Sequence, residues 1–207
     1  MNFIRGIVDS QYNKANMGLG LVFFLFPFLL LVLLSVFIGL TINFGGLLLA
    51  VAKELVYWIL ATLLLIVLLI VFKGKDASIS FPATFSAFSV IYLINAIAGF
   101  FVFLLINIFI PGFFQRIASL QGQNITFEQM LSVVSSIALP SQEIQIILFG
   151  LLILIGIVAF FAGLHVYYRI GTLSKKTSGF SNLIMLVLFV GIAFVLNNFL
   201  SFVFSLF

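Results

Sequence analysis

The sequence predicts an all-α integral membrane protein, a bundle of five transmembrane helices with short interfacial amphipathic helices. Three observations predict it. Hydrophobic residues make up 64% of the chain and charged residues 7%, with 28 phenylalanines among 207 residues, where a soluble domain carries roughly 25% charged residues. Uncharged apolar runs recur at the length a bilayer demands, about 20 residues for a ~30 Å hydrocarbon layer at ~1.5 Å rise per residue. Those runs are apolar on every side, as in LVFFLFPFLLLVLLSVFIGL, whereas barrel strands alternate apolar and polar residues over ~10 positions. Backbone groups in lipid must be bonded within their own segment, so the runs are helices.

Residues 1–16 read as an interfacial amphipathic segment, with Phe3, Ile4, Ile7 and Val8 on one face and Arg5 and Asp9 off it. Lying in the bilayer interface and packing on the protein's own helix ends are both open to it. The stretch MNFIRGIVDSQYNKANMG lacks the short apolar core and small-residue cleavage site of a secretory signal. Residues 17–207 follow as a five-helix transmembrane domain.

The first span is expected over 17–43, kinked at Pro27, where proline removes a backbone donor and clashes with the preceding turn. Gly45 and Gly46 are read as the turn out of it. The second, 53–72, stands between Lys53 and Glu54 at one end and Lys73 and Lys75 at the other, with Tyr57 and Trp58 placed in an interfacial aromatic belt. After the linker GKDASIS, Pro82 takes the first turn of a third span, 82–110, which Pro111 and Gly112 stop. The polar stretch 113–145 holds a capping-box pattern, Thr126 with Gln129. Phe127, Met130, Leu131 and Val134 recur there at helical spacing, giving a second amphipathic segment. The fourth and fifth spans, 146–168 and 183–207, are separated by the cation-rich HVYYRIGTLSKKTSGF. Ala83 with Ala87, Asn95 with Gly99, and Ala159 with Gly163 offer small-residue faces for close helix packing.

Five spans with the N-terminus inside put Arg5, Lys14, Lys73, Lys75, Arg169, Lys175 and Lys176 on one side, seven of the nine Lys and Arg. An excess of Lys and Arg marks the cytoplasmic side of short loops. The expected location is the cell membrane, with the N-terminus cytoplasmic and the C-terminus extracytoplasmic. Lys73, Lys75, Arg169, Lys175 and Lys176 are then cytoplasmic contacts for anionic lipid or a partner, flanked by Tyr167 and Tyr168. Membrane lipids and other membrane proteins, or a second copy of the chain, are the expected partners. The small, dispersed charge of +4 argues against nucleic acid. Asn124-Ile125-Thr126, on the outer side, is a glycosylation acceptor triplet.

No catalytic set can be assembled. Cysteine is absent and histidine occurs once, at His165, with no serine in a nucleophile-elbow context. No spacing of His, Asp and Glu suits a metal, and no glycine-rich phosphate loop exists, so no cofactor is expected. Lys53 and Glu54 are adjacent rather than one turn apart and are placed at the membrane edge, where Lys53 can snorkel. The intramembrane polar set is Asn95, Asn107, Asn197 and Asn198, with Ser35, Thr62 and Ser89. Such asparagines act as interhelical glue or, if they share a water-filled cavity, as a solute path.

Three stretches, NFIRGIVDSQYNKANMGLG, FKGKDASISFPATFSAFSVIYLINAIAGFF and GIVAFFAGLHVYYRIGTLSKKTSGFSNLIMLVLF, resemble the Yip1 domain family of five-span membrane proteins in its compact prokaryotic form. The resemblance extends over nearly the whole chain and implies a non-enzymatic scaffold, a membrane-organising or trafficking-type protein that binds partners. A small transporter or channel subunit, or an accessory subunit of a larger membrane complex, is the alternative.

Overall fold

The computed structural model describes residues 2–73, 79–119, 141–174 and 179–205. Among these are eight helices and no strand: α1 (Asn2–Lys14), α2 (Met17–Ile38), α3 (Phe44–Lys73), α4 (Phe81–Phe88), α5 (Val90–Phe109), α6 (Phe113–Ser119), α7 (Gln142–Ser174) and α8 (Gly179–Phe204). Among the described residues, five segments are long and apolar enough to cross a membrane: Met17–Ile38, Phe44–Phe72, Phe81–Phe109, Gln142–Ser174 and Phe180–Phe204. The fold is an all-α multispan membrane bundle. The second amphipathic segment expected at Thr126–Val134 lies outside the described residues.

Local chemistry sets the helix ends, and it moves the first turn from where the glycine pair suggested. Asn16 caps α2 by accepting from the Leu19 N–H at 3.0 Å. The chain reaches it from α1 through Ala15, which stands in the left-handed region at φ 47°. α2 runs through Pro27 and stops at Gly39, whose φ of 77° suits a residue without a Cβ. There Leu40 N–H donates to the Ser35 carbonyl at 2.8 Å and Gly39 N–H to that of Val36 at 3.2 Å, the Schellman pattern that ends a helix. Gly45 and Gly46 instead belong to the first turn of α3, because Asn43 accepts from the Gly46 N–H at 3.1 Å. α3 therefore begins nine residues before Lys53, and the second span is longer than its charges implied.

The third span is two helices. Ser80 caps α4 through the Ala83 N–H at 3.3 Å, with Pro82 in the first turn. Ser89 breaks the run, its hydroxyl donating to the Ser86 carbonyl at 2.6 Å, before α5 begins. Ala83 to Val90 are all buried, so α4 is the hub of the bundle and packs against α1, α2, α3 and α7. Around it, α5 lies between α2 and α7, and α3 packs against α8.

Apolar burial alone does not drive helices together in lipid, so close approach and specific ring contacts have to do it. Gly20 of α2 lies so near α4 that a Cβ there would come within 3.2 Å of the Ser86 Cα. Trp58 of α3 has no exposed surface. Its ring stacks on Phe85 at 3.6 Å and on Phe24 at 4.8 Å, and meets Tyr92 edge-on at 5.8 Å. The interfacial belt expected of Trp58 is thus replaced by a place at the centre of the core. The reason is the early start of α3, which carries Trp58 to the helix midpoint.

Truncating Trp58 to alanine is expected to destabilise the bundle by about 3–5 kcal/mol, the usual cost of deleting a buried large aromatic. Truncating Phe3, which is 76% exposed, should change stability by no more than about 0.5 kcal/mol. Unfolding midpoints of the two variants in one detergent check the difference.

Candidate functional site

Two polar features stand out in a chain this apolar, one at the bundle's end and one inside it. At the end, α1 is not free. Val8, Gln11 and Tyr12 are buried on the face it presents to α4 and α7, which takes up the self-packing alternative for the N-terminal segment. Asp9 accepts two hydrogen bonds from Arg169 of α7, from Nε at 2.6 Å and from Nη2 at 2.8 Å. This fork-to-fork geometry is the strong form of an Arg–carboxylate pair. Arg5, one turn back, adds a second cation 3.8 Å from the Asp9 carboxylate, and Thr172 supports Arg169 from its own helix at 3.4 Å. Both side chains of the pair are largely but not wholly covered, 28% exposed for Asp9 and 21% for Arg169.

Arg169 was expected to face lipid or a partner, and the structure engages it with Asp9, 160 residues away in sequence. No local pattern announces such a tie. Lys73 is the last residue of α3. Lys75, Lys175, Lys176 and the Asn124 triplet lie outside the described residues.

Inside the bundle, Lys53 Nζ and Glu54 Oε1 are 3.7 Å apart. Their place is within the Phe44–Phe72 segment rather than at its edge, so the expectation of an edge position is corrected. Lys53 is nine residues into α3, ~14 Å from its start. The Phe24–Trp58 stack gives the register of α2 against α3. One turn on along α2 and one turn back along α3, the charged pair is level with Phe28, near the middle of α2. α2 has 22 residues and is ~33 Å long, one bilayer thickness. Tyr92 Oη donates to the Glu54 carbonyl at 3.4 Å, which ties α5 to this point.

One turn beyond Lys53, Tyr57 opens a cleft of about 400 Å³ among α3, α5, α7 and α8. Asn95, Tyr167 and Asn197 supply its other polar groups. Two of the four expected intramembrane asparagines therefore border one cavity, and the exposed Asn95 also borders a cleft between α2 and α5. Asn107 is half-buried on α5 and is not among the lining residues. Asn198 is exposed and spends its amide on its own helix, donating to the Phe194 carbonyl at 2.8 Å. His165, one turn before Arg169 on α7, has its Nε2 buried with no hydrogen-bond partner among the described residues.

Three or more His, Asp or Glu able to hold a metal do not come together among the described residues. No protein-family model, curated protein or solved structure matches the chain.

The Asp9–Arg169 pair makes α1 docking respond to pH in one direction. The hydrogen bonds from Arg169, with its charge and that of Arg5, hold the Asp9 carboxyl below its ordinary value of 3.8 against the opposing effect of burial. A lowered carboxyl stabilises the docked form above the ordinary value and loses that contribution as pH falls below it. α1 should stay docked from pH 8 to pH 5 and loosen below about pH 4. Asp9→Asn should weaken docking across that whole range by about 1.5–3 kcal/mol, the worth of a hydrogen bond to a charged group. Mobility of a spin label at position 3 against pH measures both effects.

Proposed function

We propose that the protein is a non-enzymatic membrane scaffold that binds partners, as its resemblance to the Yip1 domain family implies. The observation that carries this reading is α1 clasped to the bundle by Asp9 and Arg169. The clasp makes a water-boundary platform out of a segment that would otherwise fray. Arg5 remains 57% exposed beside the pair and offers a cation to an anionic lipid or an acidic partner. With the N-terminus cytoplasmic, as the distribution of Lys and Arg favours, this platform faces the cytoplasm of the cell membrane.

A second reading, a small transporter or channel subunit, is favoured by the Lys53–Glu54 pair. Ionisable side chains within a span are costly and mark ion or substrate paths. A neutral pair of this kind offers a cation or proton a place to exchange.

Crosslinking in native membranes separates the two. The scaffold reading expects a defined partner captured through residues of α1, and its loss in Asp9→Asn with the bundle intact. Capture unchanged in Asp9→Asn would overturn the role given to the α1 clasp, and no capture together with ion flux in vesicles that Glu54→Gln abolishes would overturn the scaffold reading in favour of transport.

A further inference from the structure

The cleft among α3, α5, α7 and α8 combines three features whose joint effect is chemical. Its polar groups are two carboxamides, Asn95 and Asn197, and two phenols, Tyr57 and Tyr167. All four can donate and accept, and none of the lining residues is charged. No hydrogen bond holds the Asn95 or Asn197 amide among the described residues. An unsatisfied amide in hydrocarbon is strongly disfavoured.

The space is made by glycine. Gly156 and Gly163, two turns apart on α7, line the cleft, and a Cβ built at either meets nothing within 4 Å. Larger side chains would fit there without clash. The third feature is the opening. Phe160 and Phe194, also lining residues, are 58% and 69% exposed. Gly156 and Phe160 lie near the middle of the 33-residue α7, so this exposure is toward lipid rather than water.

A pocket of about 400 Å³ is within the usual range for small ligands, roughly 300–1,000 Å³. Its neutral donors and acceptors disfavour a charged headgroup, which would need a counter-charge in a low-dielectric setting. Its lateral mouth favours a ligand that arrives through the bilayer. We infer that the cleft binds a neutral lipid bearing a free hydroxyl, of the diacylglycerol kind, with the hydroxyl and ester carbonyls held by Asn95 and Asn197. This site stands whether or not the scaffold role holds.

The experiment reconstitutes the full chain in phosphatidylcholine vesicles with a trace of diacylglycerol carrying a photoreactive group next to the glycerol. After irradiation, labelled peptides are mapped. Labels are expected on α7 and α8 at the cleft, with excess unlabelled diacylglycerol displacing the probe. Gly163→Leu should cut labelling about tenfold by filling the cleft, as should Asn95→Leu with Asn197→Leu by removing the amides. Gly163→Ala, which leaves most of the space, should label like the parent and controls for folding. Labelling spread evenly over lipid-facing positions, equal labelling of the Gly163→Leu and parent chains, or an equal yield from a photoreactive phosphatidylcholine would overturn the assignment. A cleft that gives no label at all would be one filled by water, which also overturns it.

Discussion

Trp58 sits where helices from three parts of the chain converge, stacked on Phe24 of α2 and Phe85 of α4 and edge-on to Tyr92 of α5. In water, burying that indole would stabilise the fold by exclusion from solvent. In lipid that drive is largely absent between helices, and shape fit with ring geometry takes its place. Aromatic pairs contribute about 0.5–1.5 kcal/mol each, and Trp58 makes several at once. The contacts need α4 to come close to its neighbours, which its small residues permit. Ala83, Ser86, Ala87 and Ser89 are buried, and Gly20 closes on Ser86 from α2. The remaining architecture follows: α1 lies over α4, α5 continues from it, and α7 packs against both.

What could be read from the sequence tracks what is local. Apolar runs of bilayer length, Pro82 in the first turn of its helix and the broad amphipathic face of residues 3–8 all express themselves within a few residues. Lys53 and Glu54 misled because a charge pair is a sound marker of a span's end unless the two charges neutralise each other, and here they do. Misplacing that boundary also moved Trp58 from the core to the interface. Gly45 and Gly46 misled in the same way. A glycine pair suggests a turn, but the positive φ that demands glycine is at Gly39, and Asn43 recruits the pair into a helix start.

The candidate sites were only half legible, for a different reason. Asn95 and Asn197 could be named as intramembrane polar groups, but their convergence depends on how α5 packs against α7 and α3 against α8. Tyr57 and Tyr167 resembled belt residues until the helices were assembled around them. The Asp9–Arg169 pair joins opposite ends of the chain. Its two members are an unremarkable acid on an amphipathic helix and one cation of a loop-proximal cluster. Pairing of this kind is a property of topology and has no signature in spacing.

α4 is the buried hub on which α2 and α3 close, and the approach of Gly20 to Ser86 is the most exacting feature of that packing. The chain has no cysteine, so a Gly20→Cys, Ser86→Cys double variant tests it directly in native membranes. A disulfide requires Cα atoms about 4.4–6.8 Å apart. Rapid bridging of that pair is expected under mild oxidant, while Val22→Cys with Ser86→Cys, Val22 being 55% exposed, stays reduced. Bridging at position 22 in preference to 20, or none at 20 in a folded protein, would contradict it.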